Sequence, residues 1–239
     1  MALPVYLAMT AAEVQGCGDS PRHMAWMACH FSSYGTGLSN LPRCLPEGSL
    51  LILNDRIPVQ GHNPQEISEQ LAQLAADIHA CGILLDFQRP DNSQAKAITQ
   101  TIVQALPCPV AVSENYAADL NCAVFLDAPR AYRPLPLLIE KWKGRELWLE
   151  ASFCRGTVTV TENGSHYAPE TQFPTGLPVH REQKLHCSYC IEKEENQVRF
   201  HFKRTPEELN TMLENAEKLG VTRAIGLYQE LFELYKQIG

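Results

Sequence analysis

The sequence of 239 residues lacks the features that mark several classes of protein. It has no run of about 18 apolar residues, so we expect no membrane-spanning segment. It has no cluster of lysine and arginine, and its net charge is −7, so we expect no nucleic-acid partner. No glycine-rich phosphate fingerprint follows a strand, which disfavours nucleotide binding. A secretory signal pattern is also missing, so the expectation is a soluble, cytoplasmic protein.

The cysteines and histidines lack the spacing of a metal site. Nine cysteines, an odd number, are scattered mostly singly, which indicates reduced thiols and not a disulfide framework. Cys187 and Cys190 form a CxxC pair with His180 and His201 nearby. A structural zinc site usually needs a second such pair, and residues three apart on a strand point to opposite faces. We therefore expect no metal and no cofactor, and interpret these cysteines as structural.

The sequence does contain a series of short apolar runs, each followed by polar residues. Its length suits one domain, 1–239, with a substantial core. Amphipathic helices, such as 65–80 and 95–106, or short links separate most of the runs. This alternation favours an α/β fold of the (β/α)₈ TIM barrel type over an open sheet. The predicted strands lie at 4–9, 24–31, 49–55, the start of 80–90, 107–116, 122–127, 146–150 and 223–229.

Two regions depart from a regular barrel. Residues 154–204 contain alternating threonine and valine, a turn, and two segments that can face each other as a hairpin. We interpret 154–204 as an antiparallel β insertion after the seventh strand. The link 116–121 is too short for a full crossover helix, so the barrel is expected to be irregular between the fifth and sixth strands. Other predicted helices are 137–143 and one that begins with Thr205 as N-cap.

The stretch 80–90 joins a buried apolar run to an acid, an aromatic residue, an amide and a proline. Such a run is typical of a parallel strand that is buried on both faces. Asp86 and Gln88 then point the same way, because side chains alternate along a strand. In a barrel, the C-terminal strand ends carry the active site. Both side chains are therefore expected to face a cleft.

This stretch resembles the fourth-strand signature of the chitinase-like glycoside hydrolases of family eighteen, roughly D-G-x-D-x-D-x-E. The matching residues are Gly82, Ile83, Asp86, Phe87 and Pro90. Leu84 stands in place of an aspartate, and Gln88 in place of the catalytic glutamate. In that family the glutamate protonates the leaving oxygen, while the aspartate orients the N-acetyl group that attacks. The resemblance implies the fold and a carbohydrate ligand, but glutamine has no proton to donate as an acid.

Acids at other strand ends are candidates for a relocated proton donor and base. The catalytic candidates are Asp86, Gln88, Glu114, Asp127 and Glu150. Glu114 and Glu150 are the proposed pair, since sugar hydrolysis uses two carboxyl groups whose pKa values differ. The alternative is that such acids only cap loops or bind arginines.

Aromatic and polar residues near the same strand ends are candidates for sugar binding. Aromatic rings can stack on the apolar faces of sugars. Ordinary barrel packing explains each ring taken alone, but their coincidence with the acids favours sugar binding. The substrate-binding candidates are Tyr34, Asp55, Phe87, Tyr116, Tyr228 and Gln229.

Three functions follow from these features. The first is a glycoside hydrolase-like protein that acts on a glycan with relocated acids, and the second is a non-catalytic carbohydrate-binding protein. The third is a barrel enzyme of unrelated chemistry. Two carboxylates at hydrolytic spacing beside Gln88 would favour the first, and an aromatic cleft without such a pair would favour the second.

Overall fold

A computed structural model describes residues 3–18, 21–89, 92–129, 133–169 and 172–238. The strands are β1 (Val5–Met9), β2 (Met24–Phe31), β3 (Leu38–Ser39), β4 (Leu50–Asn54), β5 (Gly82–Asp86), β6 (Val110–Ser113), β7 (Ala123–Leu126), β8 (Leu147–Glu150), β9 (Gly156–Thr161), β10 (Gly164–Pro169), β11 (His180–Glu182), β12 (Cys187–Glu194), β13 (Gln197–Lys203) and β14 (Val221–Leu227). The helices are α1 (Ala11–Gly16), α2 (Pro64–Asp77), α3 (Ser93–Ala105), α4 (Glu114–Ala117), α5 (Leu135–Lys141), α6 (Pro206–Lys218) and α7 (Tyr228–Ile238).

Eight parallel strands close into a barrel in the order β1, β2, β4, β5, β6, β7, β8 and β14. Closure comes from β1, which pairs in parallel with both β2 and β14. The predicted (β/α)₈ TIM barrel is therefore confirmed. In the described part of the chain, β2 and β4 are joined without a helix, and the short β3 pairs with β2 instead.

The helices begin where the sequence supplies capping groups. Asn63 accepts a hydrogen bond from the Gln65 backbone at the start of α2, where Pro64 takes the first position. Thr205 and Glu208 form a reciprocal capping box at the start of α6. The sequence analysis predicted the Thr205 cap, and both caps fix where the chain leaves a loop and enters a helix.

Several predicted elements have different bounds in the structure, three of which concern the site or its neighbourhood. The fifth strand ends at Ser113 and not at 116, because α4 begins at Glu114. The eighth strand ends at Leu227, so Tyr228 and Gln229 belong to the first turn of α7. The helix expected at 137–143 is α5, which begins two residues earlier. The first two differences change the directions in which candidate site residues point.

The core has two layers, which strand alternation separates. One layer lies between the strands and the helices and includes Phe31, Phe87 and Tyr116. The other fills the inside of the barrel. Its members on the strands include Ala8, Ile52, Leu84, Ala111, Phe125, Trp148 and Ile225.

The region after β8 forms a separate antiparallel sheet, in the order β10, β9, β13, β12, β11. This confirms the predicted β insertion. Arg204, which is 2% exposed, ties the sheet to the barrel. Its guanidinium donates hydrogen bonds to backbone carbonyls on both sides of the junction. These acceptors belong to Pro129, Ser152, Leu185 and His186.

Within the residues that the structure describes, no helix combines the length and hydrophobicity needed to span a bilayer.

Candidate functional site at the barrel mouth

Strand alternation brings a ring of polar side chains to the C-terminal mouth of the barrel. Each lies two positions beyond a residue of the barrel interior, so it points along the same inner face. Asp86, for example, follows Leu84, and Asp127 follows Phe125. The polar residues in this position are Thr10, Asn54, Asp86, Ser113, Asp127 and Glu150.

A cavity of about 1080 Å³ opens at this mouth. Its floor is apolar, with Leu84 and Phe125 among the lining residues. Its wall is polar and carries most of the sequence-predicted acids. The sequence-predicted residues that line it are Asp55, Asp86, Gln88, Asp127 and Glu150. An apolar floor under a few convergent polar groups is the usual form of a small-molecule site.

Asp86 and Gln88 contact each other directly in this cavity. The side-chain amide nitrogen of Gln88 donates to Oδ1 of Asp86 over 2.5 Å. Ser113 Oγ lies 3.4 Å from the same oxygen and 3.1 Å from the Leu85 carbonyl oxygen. The predicted common direction of Asp86 and Gln88 is therefore observed. Pro90, which completes the sequence signature, lies outside the described residues.

Asp55 holds the loop that carries Gln88. This carboxylate is 6% exposed, and it accepts hydrogen bonds from the backbone nitrogens of Gln88 (3.1 Å) and Arg89 (2.9 Å). On the other side of the loop, the Tyr116 hydroxyl donates to the carbonyl oxygen of Arg89. Asp55 therefore acts on the cavity by fixing the loop backbone, because both of its oxygens are already used.

The environment of Asp86 raises the pKa of its carboxyl above the ordinary value of 3.8. Burial is the largest cause, and the charges of Asp55 and Asp127 add to it. Hydrogen bonds from Gln88 and Ser113 oppose the shift, because they stabilise the carboxylate. The site thus contains one acid that is more readily protonated than a carboxyl in water.

Two further acids of the wall are held by backbone or side-chain donors. Glu150 accepts a hydrogen bond from the Ala128 nitrogen over 2.8 Å. Glu230 accepts from the Phe153 nitrogen and from Ser152 Oγ. Asp127, by contrast, forms no hydrogen bond within the described ranges. Glu230 is a cavity residue that the strand-end pattern does not predict, because it lies in α7.

Glu114 does not line this cavity, so the predicted cleft shared by Glu114 and Asp86 is wrong. As the first residue of α4 it follows Ser113, which points inward, and it turns to the outside. There it bonds Arg133, Lys141 (3.3 Å) and Trp142 Nε1 (2.8 Å). Burial alone would raise its pKa, but these donors and positive charges outweigh burial and lower it. Glu114 is an anchor between β6 and α5.

The aromatic candidates also lie away from the cavity, so they form no stacking platform in it. Phe87 and Tyr116 are buried in the layer between strands and helices, and their ring centroids are 5.9 Å apart. Tyr228 packs against Phe232, and its hydroxyl lies 3.7 Å from Cys17 Sγ. Tyr34 is 95% exposed. Phe87 stands one position out of phase with Asp86, which explains its direction, and Tyr116 lies in α4, beyond the end of β6.

A second cavity, of about 380 Å³, adjoins the first at the junction with the β insertion. The two share Glu150 and Glu230. Gln229 lines the smaller cavity, together with Arg155 and Tyr167. Gln229 therefore lies on a helix outside the main cavity, and its role in ligand binding stays a prediction.

Several lining residues of the main cavity are absent from the predicted set. His30 lies between the Phe31 carbonyl oxygen, 2.8 Å from Nδ1, and Asn40 Nδ2, 3.0 Å from Nε2. Arg56 and Arg89 lie at the rim. Among the described side chains, no three histidines, cysteines or acids are grouped as metal ligands.

No protein-family model and no curated protein matches the sequence. Solved structures do match in fold. An N-acetylglucosaminidase of glycoside hydrolase family 18 from Paenibacillus barengoltzii has a TM-score of 0.61 and 10% identity, over 94% of each chain. A chitinase-like agglutinin from Robinia pseudoacacia has a TM-score of 0.56 and 12% identity, over 92% of this chain and 93% of the agglutinin. The chain is similar to these structures in fold, as a (β/α)₈ TIM barrel.

A third similar structure is a family 18 chitinase from Cycas revoluta, a double mutant in complex with (GlcNAc)₄. Its TM-score is 0.55, with 11% identity over 94% of each chain. Chitinase-like barrels thus include hydrolases and an agglutinin, so the fold itself is compatible with cleavage and with binding alone.

Proposed function

We propose that the protein binds a glycan containing N-acetylhexosamine at the barrel mouth and does not cleave it through an acid at position 88. The observation that carries this proposal is the hydrogen bond from Gln88 to Asp86 inside the cavity. An amide in that place keeps the size and hydrogen bonding of a glutamate side chain. It removes the proton that glycoside hydrolysis requires.

The chemistry of the cleft suits an amide-bearing sugar. Asp86 and Gln88 supply acceptors and a donor within one hydrogen-bonded pair, and Asn54 and Asp127 lie on the same wall. Sugars bind through such hydroxyl and amide contacts over an apolar surface, which Leu84 and Phe125 provide here. The Cycas revoluta complex gives independent support, because one of its two substitutions replaces glutamate with glutamine and the protein is in complex with (GlcNAc)₄.

Hydrolysis by a different pair of acids is the second candidate. It rests on the raised pKa of Asp86 and on the nearby charge of Asp127, which contributes to that shift. Two carboxyl groups with separated pKa values can serve as proton donor and base. The relocated pair first expected, Glu114 with Glu150, is not favoured, since Glu114 lies outside the cavity.

Binding and turnover of (GlcNAc)₄, measured on the same preparation, test both functions. Calorimetry should detect binding by the native chain, and chromatography should detect no cleavage. Asp86→Ala should weaken binding roughly ten- to hundredfold, since a hydrogen bond to a charged group contributes about 1.5–3 kcal/mol. Asp119→Asn is the matched control, because that side chain is exposed on a loop outside the cleft.

Each outcome separates the candidates. Binding that survives Asp86→Ala unchanged, or no binding by the native chain, would refute the proposed function. Native cleavage of (GlcNAc)₄ that Asp127→Asn abolishes, with binding retained, would establish the second candidate in its place.

A further inference from the structure

Two arginines at the rim of the cavity have no partner for their charge. Arg56 and Arg89 both line the cavity and are exposed to solvent. Within the described ranges neither forms an ion pair, although the chain has a net charge of −7. Neither is among the groups that shift the pKa of Asp86. Their positive charge therefore takes no part in the shift of the Asp86 pKa.

The backbone holds both arginines in place. The Arg89 nitrogen donates to the buried carboxylate of Asp55, and its carbonyl oxygen accepts from Tyr116. The Arg56 nitrogen donates to Asn54 Oδ1 over 3.1 Å. Asn54 is itself fixed, because its amide donates to carbonyl oxygens of β2. The two arginines thus extend from a framework of hydrogen bonds and not from a loose loop.

The Arg89 guanidinium is also close to the backbone of Arg56. Arg89 Nη2 donates to the carbonyl oxygen of Arg56 over 3.1 Å. The Arg56 guanidinium makes no hydrogen bond within the described ranges, so all its donors are open to a ligand. Gln88, which bonds Asp86, is the neighbour of Arg89 in sequence. Because these residues and Arg56 line the same cavity, a ligand held at Asp86 and Gln88 can reach the two cations.

We propose that the ligand is an acidic saccharide, in which a carboxylate or sulfate on the sugar next to the one at Gln88 binds Arg56 and Arg89. This inference rests on the proposed function, since it specifies the class of glycan that the same cleft accepts. Guanidinium groups pair with such oxyanions through two parallel hydrogen bonds. The acids of the wall, Asp127 and Glu150 among them, would repel an anion and so confine it to the arginine side of the rim.

The test uses matched ligands that differ in one charge per disaccharide. A hyaluronan tetrasaccharide alternates N-acetylglucosamine with a carboxylated sugar, and its carboxyl-reduced form is the neutral counterpart. (GlcNAc)₄ and a sulfated N-acetylglucosamine oligomer complete the set. Affinities are measured by calorimetry for the native chain and for Arg56→Gln/Arg89→Gln. The control is Arg181→Gln, an exposed arginine on β11 that lines neither cavity at the mouth.

We expect the native chain to bind a charged saccharide roughly three- to thirtyfold more tightly than its neutral counterpart, because two exposed charge pairs contribute up to about 1 kcal/mol each. The preference should fall with added salt and disappear in the double variant, but persist in Arg181→Gln. A preference for the hyaluronan arm identifies the anion as a carboxylate, and one for the sulfated arm identifies a sulfate.

Equal binding of charged and neutral saccharides would overturn the inference and leave the proposed function intact. A preference that survives in the double variant would overturn it as well. Failure of all four saccharides to bind a folded native chain, as judged by circular dichroism, would instead refute the proposed function and this inference with it.

Discussion

The Gln88 side chain donates its amide hydrogen to the carboxylate of Asp86 across 2.5 Å, at the inner face of the barrel mouth. Asp86 follows the interior residue Leu84 at the end of β5, and Gln88 lies two residues further on, in the loop that Asp55 holds, so both side chains reach one cavity. The pair retains an acid and an acceptor for a sugar amide, but the partner of Asp86 cannot transfer a proton.

Replacing Gln88 with glutamate should introduce hydrolysis of (GlcNAc)₄. The new carboxyl would stand beside Asp86, whose negative charge favours the protonated form needed in a general acid. General acid catalysis contributes about 10²–10⁴-fold, which sets the expected gain over the native rate. Reducing-end release, followed by chromatography, measures it. Gln104→Glu, an exposed position on α3, is the control, and a gain there of similar size would contradict the explanation.

Replacing Glu114 with glutamine should reduce stability and leave glycan binding unchanged. The glutamate carboxylate accepts bonds from Arg133, Lys141 and Trp142 with its side chain 9% exposed. Losing hydrogen bonds to a charged group costs about 1.5–3 kcal/mol. The pKa of Glu114 is lowered in the folded state. This contribution to stability is therefore present when the pH is above 4.5, the ordinary pKa, and is lost as the pH falls through the lowered pKa.

Urea unfolding of Glu114→Gln at several pH values measures the loss. Glu140→Gln on α5 is the control, since that side chain is 71% exposed. A Glu114→Gln variant as stable as the native chain, or one that loses (GlcNAc)₄ binding while still folded, would show that Glu114 is not a purely structural anchor.

Replacing Asp86 with asparagine should stabilise the protein at pH 7. The raised pKa means that the folded state binds a proton more tightly than the unfolded chain does. The contribution of this carboxyl to stability is therefore fully present when the pH is below 3.8, its ordinary pKa. It is lost as the pH rises through the folded-state pKa. Asparagine never ionises, so the gain over the native chain should vanish towards pH 3.8. Thermal unfolding across pH measures it, and a gain independent of pH would contradict the electrostatic cause.

Replacing Asp55 with asparagine should disorganise the loop at Gln88. The carboxylate accepts from two backbone nitrogens, and the asparagine amide would present a donor to one of them. An unsatisfied buried group costs about 1–3 kcal/mol, and weaker (GlcNAc)₄ binding should accompany the loss of stability. Asp77→Asn, an exposed position at the end of α2, is the control. Unchanged stability and binding in Asp55→Asn would exclude the anchoring role.

The sequence predicted the barrel and the insertion because both depend on local patterns. Apolar runs joined by amphipathic helices specify the parallel strands, and the alternating segment at 157–161 specifies a hairpin strand. The side-chain direction at strand ends depends on the last residue of each strand. Glu114 was placed at the mouth because it follows the apolar run of the fifth predicted strand, but Ser113 before it points inward and Glu114 faces the outside.

The candidate site was predicted in part for the same reason. Asp86, Asp127 and Glu150 are in phase with interior residues, and all three line the cavity. Phe87 is out of phase with them. The alternation of side chains, applied from Leu84 and Asp86, would have excluded Phe87 from the residues that line the cavity. Glu230 and the two rim arginines reach the cavity from a helix and from loops, where no strand period indicates direction.

Arg204 has a consequence for protein engineering. Its four carbonyl acceptors belong to the loop after β7, the loop after β8 and the insertion itself. One side chain therefore joins three chain segments by hydrogen bonds. A transplant of the 155–203 sheet onto another barrel would leave Arg204 behind and expose carbonyl groups that were buried. A working chimaera therefore has to carry residue 204 and the recipient's matching loops as one cassette.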